Sequence, residues 1–77
     1  MKKLYTSFEI VKIYKLKRET LRDWIDKGFI SPTVPARGKG TKALFSEELV
    51  FKIGLFKYLL SVGFTREMAS KIIREVL

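Results

Sequence analysis

Two short helical segments joined by a tight turn open the sequence, and they restrict the fold more than any other feature. A capping box at Thr6 and Glu9 predicts a first helix that runs to about Tyr14. After a two-residue turn, a second helix is predicted over residues 18–27, followed by a glycine placed to end it. Two short helices around such a turn predict a helix-turn-helix over residues 6–28.

The second helix separates its apolar side chains from its charged ones. Leu21, Trp24 and Ile25 recur at helical spacing, so they predict one buried stripe. Charged side chains occupy the opposite side, where they face solvent or a partner. They are Lys17, Arg18, Arg22 and Asp26.

A loop that contains both prolines follows the second helix. Val34 and residues 43–45 are predicted to pair as two short strands, with residues 38–40 at the tip of the hairpin. We interpret the hairpin as a wing over residues 31–45, and the alternative is a polar hairpin that lysine only keeps soluble. Its cationic side chains are Arg37, Lys39 and Lys42.

Two more helices complete the chain, so the prediction is mainly α-helical. Ser46 is placed to cap a third helix over residues 47–62, and Thr65 to cap a fourth that runs to the end. Ten of the fourteen residues from 49 to 62 are apolar, which is more than one amphipathic stripe requires. The third helix is therefore either central to the fold or partly covered by a partner. The buried side of the fourth helix is predicted to consist of Met68, Ala69, Ile72, Ile73 and Val76.

The net charge of +8 is concentrated in one half of the chain. Residues 1–44 carry eleven basic and four acidic side chains, whereas residues 45–77 carry five and four. A charge distribution this one-sided indicates a polyanionic partner, most simply nucleic-acid phosphate. A charged surface that only keeps the chain soluble is the alternative.

The side chains that many enzymes and metal sites require are missing. With no cysteine and no histidine, the sequence predicts no disulfide, no zinc site and no imidazole catalysis. No run of about 20 apolar residues could span a bilayer. We therefore expect a binding module rather than an enzyme, with no cofactor, no metal and no membrane partner, in the cytoplasm and associated with the nucleoid.

Five stretches of the chain resemble, in order and spacing, the N-terminal DNA-binding domain of MerR-type transcription regulators, a winged helix-turn-helix family. The resemblance covers residues 5–77 and implies one domain over residues 1–77, with four helices and a two-stranded hairpin wing between the second and third. Residues 46–77 would form the supporting helices. The matching stretches are Tyr5-Thr6 with Glu9-Ile10-Val11, Glu19-Thr20-Leu21-Arg22-Asp23-Trp24, Lys27-Gly28-Phe29-Ile30-Ser31-Pro32, Leu44-Phe45-Ser46-Glu47-Glu48-Leu49 and Leu60-Ser61-Val62-Gly63-Phe64-Thr65.

The sequence also departs from the family pattern in the second helix and at its start, where the family residue at the position of Glu19 often faces DNA. Glu19 replaces an arginine, Asp23 replaces an aromatic residue, and Lys17 stands where a serine N-cap is usual. A base preference therefore does not carry over with the resemblance. The dimerisation helix and effector domain of full-length family members are not part of this sequence, so effector sensing does not carry over either.

The basic surface and the resemblance together predict sequence-specific binding of double-stranded DNA as the DNA-binding domain of a transcription regulator. The helix of residues 18–27 would enter the major groove, and the wing of residues 33–44 would lie on the flanking phosphates. A homodimer would form through a further C-terminal helix or through the apolar third helix. The alternatives are an excisionase-like architectural DNA-binding protein in recombination and a protein-interaction module that uses helix 47–62. The candidate DNA-binding residues are Lys17, Arg18, Thr20, Arg22, Arg37, Lys39, Thr41 and Lys42.

Overall fold

The computed structural model of the chain describes residues 3–38 and 40–76. Its mainly helical, winged helix-turn-helix architecture confirms the predicted fold class. The four helices and the two strands of one antiparallel sheet follow the chain in this order: β1 (Leu4–Thr6), α1 (Ser7–Tyr14), α2 (Arg18–Asp26), β2 (Leu44–Ser46), α3 (Glu47–Ser61) and α4 (Arg66–Val76).

The predicted capping box begins α1. The Glu9 backbone N–H donates to Thr6 Oγ1 at 3.2 Å, and the Thr6 backbone N–H donates to Glu9 Oε1 at 2.9 Å. The helix ends at Lys15, which adopts the left-handed conformation with a φ of 54°. Because Lys15 bears a side chain where a glycine is common, the turn into α2 is formed at some cost in backbone energy.

The helix α2 ends one residue earlier than predicted. Its last turn closes through the Lys27 N–H, which donates to the Asp23 carbonyl at 2.9 Å. Gly28 then takes the left-handed conformation with a φ of 81°, as the sequence predicts. This reversal returns Phe29 to the core, where its N–H donates to the Trp24 carbonyl at 3.0 Å.

The sheet has a different partner from the one predicted. The strand β2 pairs antiparallel with β1, with Tyr5 opposite Phe45. The predicted pairing of Val34 with this strand is reduced to a single bridge to Leu44, with hydrogen bonds of 3.0 and 2.8 Å. Pro35 directly follows Val34, and its ring fixes φ at about −65° rather than the roughly −140° of an antiparallel strand, so regular pairing does not continue in that direction.

One hydrophobic core unites the helix-turn-helix with α3 and α4. The ring of Trp24 meets that of Phe56 edge to face at a centroid distance of 4.7 Å, and Phe29 lies 5.9 Å from the same ring. Trp24 is therefore a core residue. The most completely buried large side chains are Phe45, Phe56, Ile10, Leu21, Ile30 and Ile53.

The two supporting helices expose more apolar surface than the core requires. Phe51 and Tyr58 of α3 and its C-cap residue Val62 are each more than half exposed, although the opposite side of this helix is central to the core. On α4, the prediction that Met68 is buried is wrong, because the side chain is 53% exposed. The contact of α4 with the core follows Ala69 and Ile73, and residue 68 lies about 100° away from residue 69 around the helix. Ala69 and Ile73 are buried as predicted, Ile72 is partly buried, and the side chain of Val76 lies outside the described part of the structure.

Candidate nucleic-acid interface

The exposed side of α2 presents two arginines toward α1. Arg18 and Arg22 stand four residues apart, so they lie on the same side of the helix. Arg22 Nε is 3.9 Å from Asp26 Oδ2, and the two side chains are 83% and 68% exposed. An ion pair this exposed is weak, so Arg22 can exchange the carboxylate for another anion at little cost.

Arg18 lines two clefts, one between α1 and α2 and one that also includes a residue of the wing. A cleft of about 410 Å³ separates α1 from α2, with Phe8 on one wall and Arg18 and Arg22 on the other. A second cleft, of about 260 Å³, is lined by Arg18, by Ser7 and Phe8 of α1, and by Lys42 of the wing. Arg18 and Lys42, which are 24 positions apart in the sequence, therefore line one concave surface.

The hydroxyl of Thr41 shapes the tip of the wing. It accepts a hydrogen bond from the Arg37 N–H at 2.7 Å and donates one to the Gly38 carbonyl at 2.9 Å. Gly38 and Gly40 both adopt positive φ angles, 86° and 82°, which a side chain would strain. The side chains of Arg37 and Lys42 are exposed. Lys39, a predicted contact, lies outside the described residues.

Lys17 and Thr20 flank the start of α2 and differ in accessibility. Lys17 is exposed and occupies the N-cap position, where its side chain makes no capping hydrogen bond. Its carbonyl accepts the N–H groups of Thr20 and Leu21 at 3.1 and 3.3 Å. Thr20 is only partly exposed. The structure thus brings Arg18, Arg22 and Lys42 to a common surface. Lys17 is exposed at the start of α2, and Thr20 is the least accessible of the predicted residues on that helix.

An ion-pair cluster that the sequence reasoning missed joins α2 to α4. Asp23 Oδ2 is 3.1 Å from Arg66 Nη1 and 3.4 Å from Lys27 Nζ. The Arg66 guanidinium also lies over the Phe29 ring, 5.7 Å from its centroid. Asp23 thus uses its carboxylate within the protein. The lysine four residues along the helix could be seen in the sequence, whereas Arg66 is 43 positions away.

Phe8 also lies at this surface, and the sequence reasoning did not assign it. Its ring is 59% exposed and lines both clefts. Lys12, one helical turn further on, places its Nζ 5.5 Å from the ring centroid. The available signal was its position on α1, because residue 8 lies about 160° around the helix from the buried Ile10. An exposed aromatic ring between cations can contact either a sugar or a thymine methyl group.

Two other kinds of site are not found in the described parts of the chain. Within residues 3–38 and 40–76, no group of three or more acidic, histidine or cysteine side chains could hold a metal ion. None of the helices in the same residues is long and apolar enough to cross a membrane.

A helix-turn-helix, a basic loop that follows it and two supporting helices define the winged helix-turn-helix class. Residues 5–76 match the family described as MerR HTH family regulatory protein, and the chain belongs to this family. The crystal structure of a MerR-family transcriptional regulator from Bacillus cereus has the same fold, with a TM-score of 0.80 at 14% sequence identity. The match covers 95% of this chain and 53% of that protein, so the chain spans about half the length of its structural neighbour. A comparison with curated proteins finds no match.

Proposed function

We propose that the chain binds double-stranded DNA in a sequence-specific manner, as the DNA-binding domain of a transcription regulator. The observation that carries this proposal is the shared concave surface of Arg18 and Lys42, with Arg22 beside it. In this arrangement α2 lies in the major groove and the wing follows the flanking phosphates. The net charge of +8 supplies the attraction that any such complex needs.

The basic side chains divide between two tasks. Arg18 and Arg22 project from the first two turns of α2, which are the part of a recognition helix that reaches base edges, and arginine pairs well with guanine. Arg37 and Lys42 stand on the wing, where they would hold phosphates and add affinity without reading sequence. Lys17 and Lys39 extend the same phosphate contacts. Thr20 adds a hydroxyl, and Thr41 keeps the wing tip in shape.

A homodimer is part of this proposal, because one recognition helix reads only a short half-site. The exposed side chains of Phe51 and Tyr58 on α3, together with that of its C-cap residue Val62, offer one apolar surface for a second copy. A further C-terminal helix would offer another. The cytoplasm, at the nucleoid, is the location in which such a domain would meet its DNA.

Fluorescence anisotropy of a labelled random-sequence duplex, titrated with the domain over a salt series, tests the proposal. If about five phosphates are neutralised, a plot of log K against log salt should have a slope of roughly −4 to −5. Arg37→Ala and Lys42→Ala, which each remove a phosphate contact, should each reduce that slope by about 1. Lys71→Ala removes an exposed charge from α4 and is the matched control, for which we expect little change. Absence of binding at low salt would refute the proposal.

A protein-interaction module is the second candidate, because the exposed apolar side chains of α3 favour it. In that case the α3 surface would bind a protein and the basic surface would have no part in it. Combined neutralisation of Arg18, Arg22 and Lys42 would then leave partner binding unchanged. Phe51→Ser would abolish partner binding while the salt-dependent affinity for DNA stayed the same. Both variants are measured for binding to the protein partner and for salt-dependent binding to DNA, and the two sets of results separate the two functions.

A further inference from the structure

The helix α2 carries three carboxylates, and two of them have partners among the described residues. Asp23 pairs with Arg66 and Lys27, and Asp26 lies near Arg22. Glu19 is exposed, and its carboxylate has no hydrogen-bond or ion-pair partner among the described residues. Its charge is therefore not compensated within the protein by any direct contact that the structure describes.

Glu19 points to where the proposed function places DNA. It is the second residue of α2, and it lies about 200° around the helix from Leu21, which is 1% exposed. It also lines the cleft that Arg18 and Arg22 share. The first residues of a recognition helix are the ones that reach base edges. A carboxylate at this position would be desolvated in the groove and repelled by the flanking phosphates.

Few groups on DNA can offset the desolvation and repulsion of the Glu19 carboxylate. In the major groove, the hydrogen-bond donors are the exocyclic amino groups of cytosine and adenine, and acidic side chains characteristically accept from cytosine N4. We propose that Glu19 is a specificity-determining residue that accepts a hydrogen bond from a cytosine amino group. This inference rests on the proposed function. Glu19 gives the domain sequence discrimination and lowers its affinity for DNA that has no cytosine at that position.

A purely structural role for Glu19 would have different consequences. Negative charge in the first turn stabilises a helix through its dipole, and α2 has no side-chain N-cap. That effect would change the stability of the fold but would not depend on which base lies opposite. Glu67 provides the matched control, because it is the second residue of α4, is exposed and has no partner among the described residues.

The experiment selects binding sites from a random duplex library at low salt with the wild-type chain and with Glu19→Gln, Glu19→Ala and Glu67→Gln. Binding constants are then measured for each base pair at every constrained position, and circular dichroism confirms that each variant is folded. For the wild type we expect a cytosine preference of roughly 5- to 150-fold at one position. Glu19→Ala should abolish that preference and bind random duplex about two- to fivefold more tightly, because a repelled charge is removed.

The outcomes separate this inference from the proposed function. Loss of the cytosine preference in Glu19→Ala, but not in Glu67→Gln, supports the assignment. If Glu19→Ala binds DNA with the usual salt dependence and selects the same site as the wild type, the assignment is overturned and the proposed function stands. An equal loss in Glu67→Gln also overturns it, since a general charge effect would then suffice. If the wild type does not bind duplex DNA at all, both fail.

Discussion

The structure predicts that a side chain at Gly54 would destabilise the protein. A Cβ atom placed there would lie 2.5 Å from Tyr14 Oη and 2.6 and 2.7 Å from Cζ and Cε1 of the same ring. The Tyr14 hydroxyl also donates to the Val50 carbonyl at 2.9 Å, one turn before Gly54 on α3. The ring of α1 therefore packs directly on the backbone of α3, and only glycine leaves it room.

The expected effect of Gly54→Ala is a net loss of stability, because the clash outweighs the gain in helix propensity. Overpacking costs about 1–3 kcal/mol, and displacement of the ring would break a hydrogen bond that contributes about 1 kcal/mol. Against these losses, replacing glycine by alanine in a helix interior stabilises the helix by about 1 kcal/mol. The free energy of unfolding should therefore fall by about 1–3 kcal/mol, and Tm by about 6–18 °C in a domain of this size.

Thermal unfolding followed by circular dichroism measures this change, and a double-mutant cycle assigns its cause. In a Tyr14→Leu background the ring is gone, so Gly54→Ala should be neutral or stabilising by up to about 1 kcal/mol. Lys57→Ala, at an exposed site on the same helix, is the control and should change stability by less than about 0.5 kcal/mol. A Tm for Gly54→Ala at or above that of the wild type would refute the reasoning, as would equal effects in the two backgrounds.

Two further predictions concern pH. The backbone N–H of Thr6 holds the pKa of Glu9 below its ordinary value of 4.5. The ionised Glu9 therefore contributes stability above pH 4.5, and this contribution is lost as the pH falls through the lower pKa of the folded state. The stability of Glu9→Gln, measured by acid unfolding, should depend less on pH than that of the wild type. Burial raises the pKa of Tyr14 above its ordinary value of 10.0. The contribution of the neutral Tyr14 to stability is therefore complete below pH 10.0 and is lost as the pH rises through the raised pKa of the folded state. Tm measured from about pH 9 to 11 should fall more steeply in the wild type than in Tyr14→Phe, and parallel curves would contradict this.

The helices could be predicted from the sequence because their signals act over three or four residues. The capping box of Thr6 and Glu9 and the left-handed Gly28 each act within one turn, and both are present as predicted. The apolar stripe of α2 follows from helical periodicity in the same way. The charge asymmetry, too, is a property of composition along the chain, and it directs attention to α2 and the wing.

Pairing between distant segments could not be predicted in this way. The strand β1 has three residues and no pattern of its own, and it is defined by β2 about forty positions later. The predicted partner, Val34, is limited to one bridge by the proline that follows it. β1 pairs with β2 because α1, which directly follows β1, packs in the core. The local sequence does not predict where α1 packs.

The sequence by itself determined four helices, the residues at which they begin and a basic half of the chain, because capping, glycine conformation and periodicity are local interactions. Only the tertiary structure decided how these parts face one another. It placed Arg18 and Lys42 at one cleft, joined Asp23 to Arg66 and left Glu19 without a partner among the described residues. Each of these depends on the packing of side chains that are distant in sequence, and packing is a property of the whole core rather than of any segment.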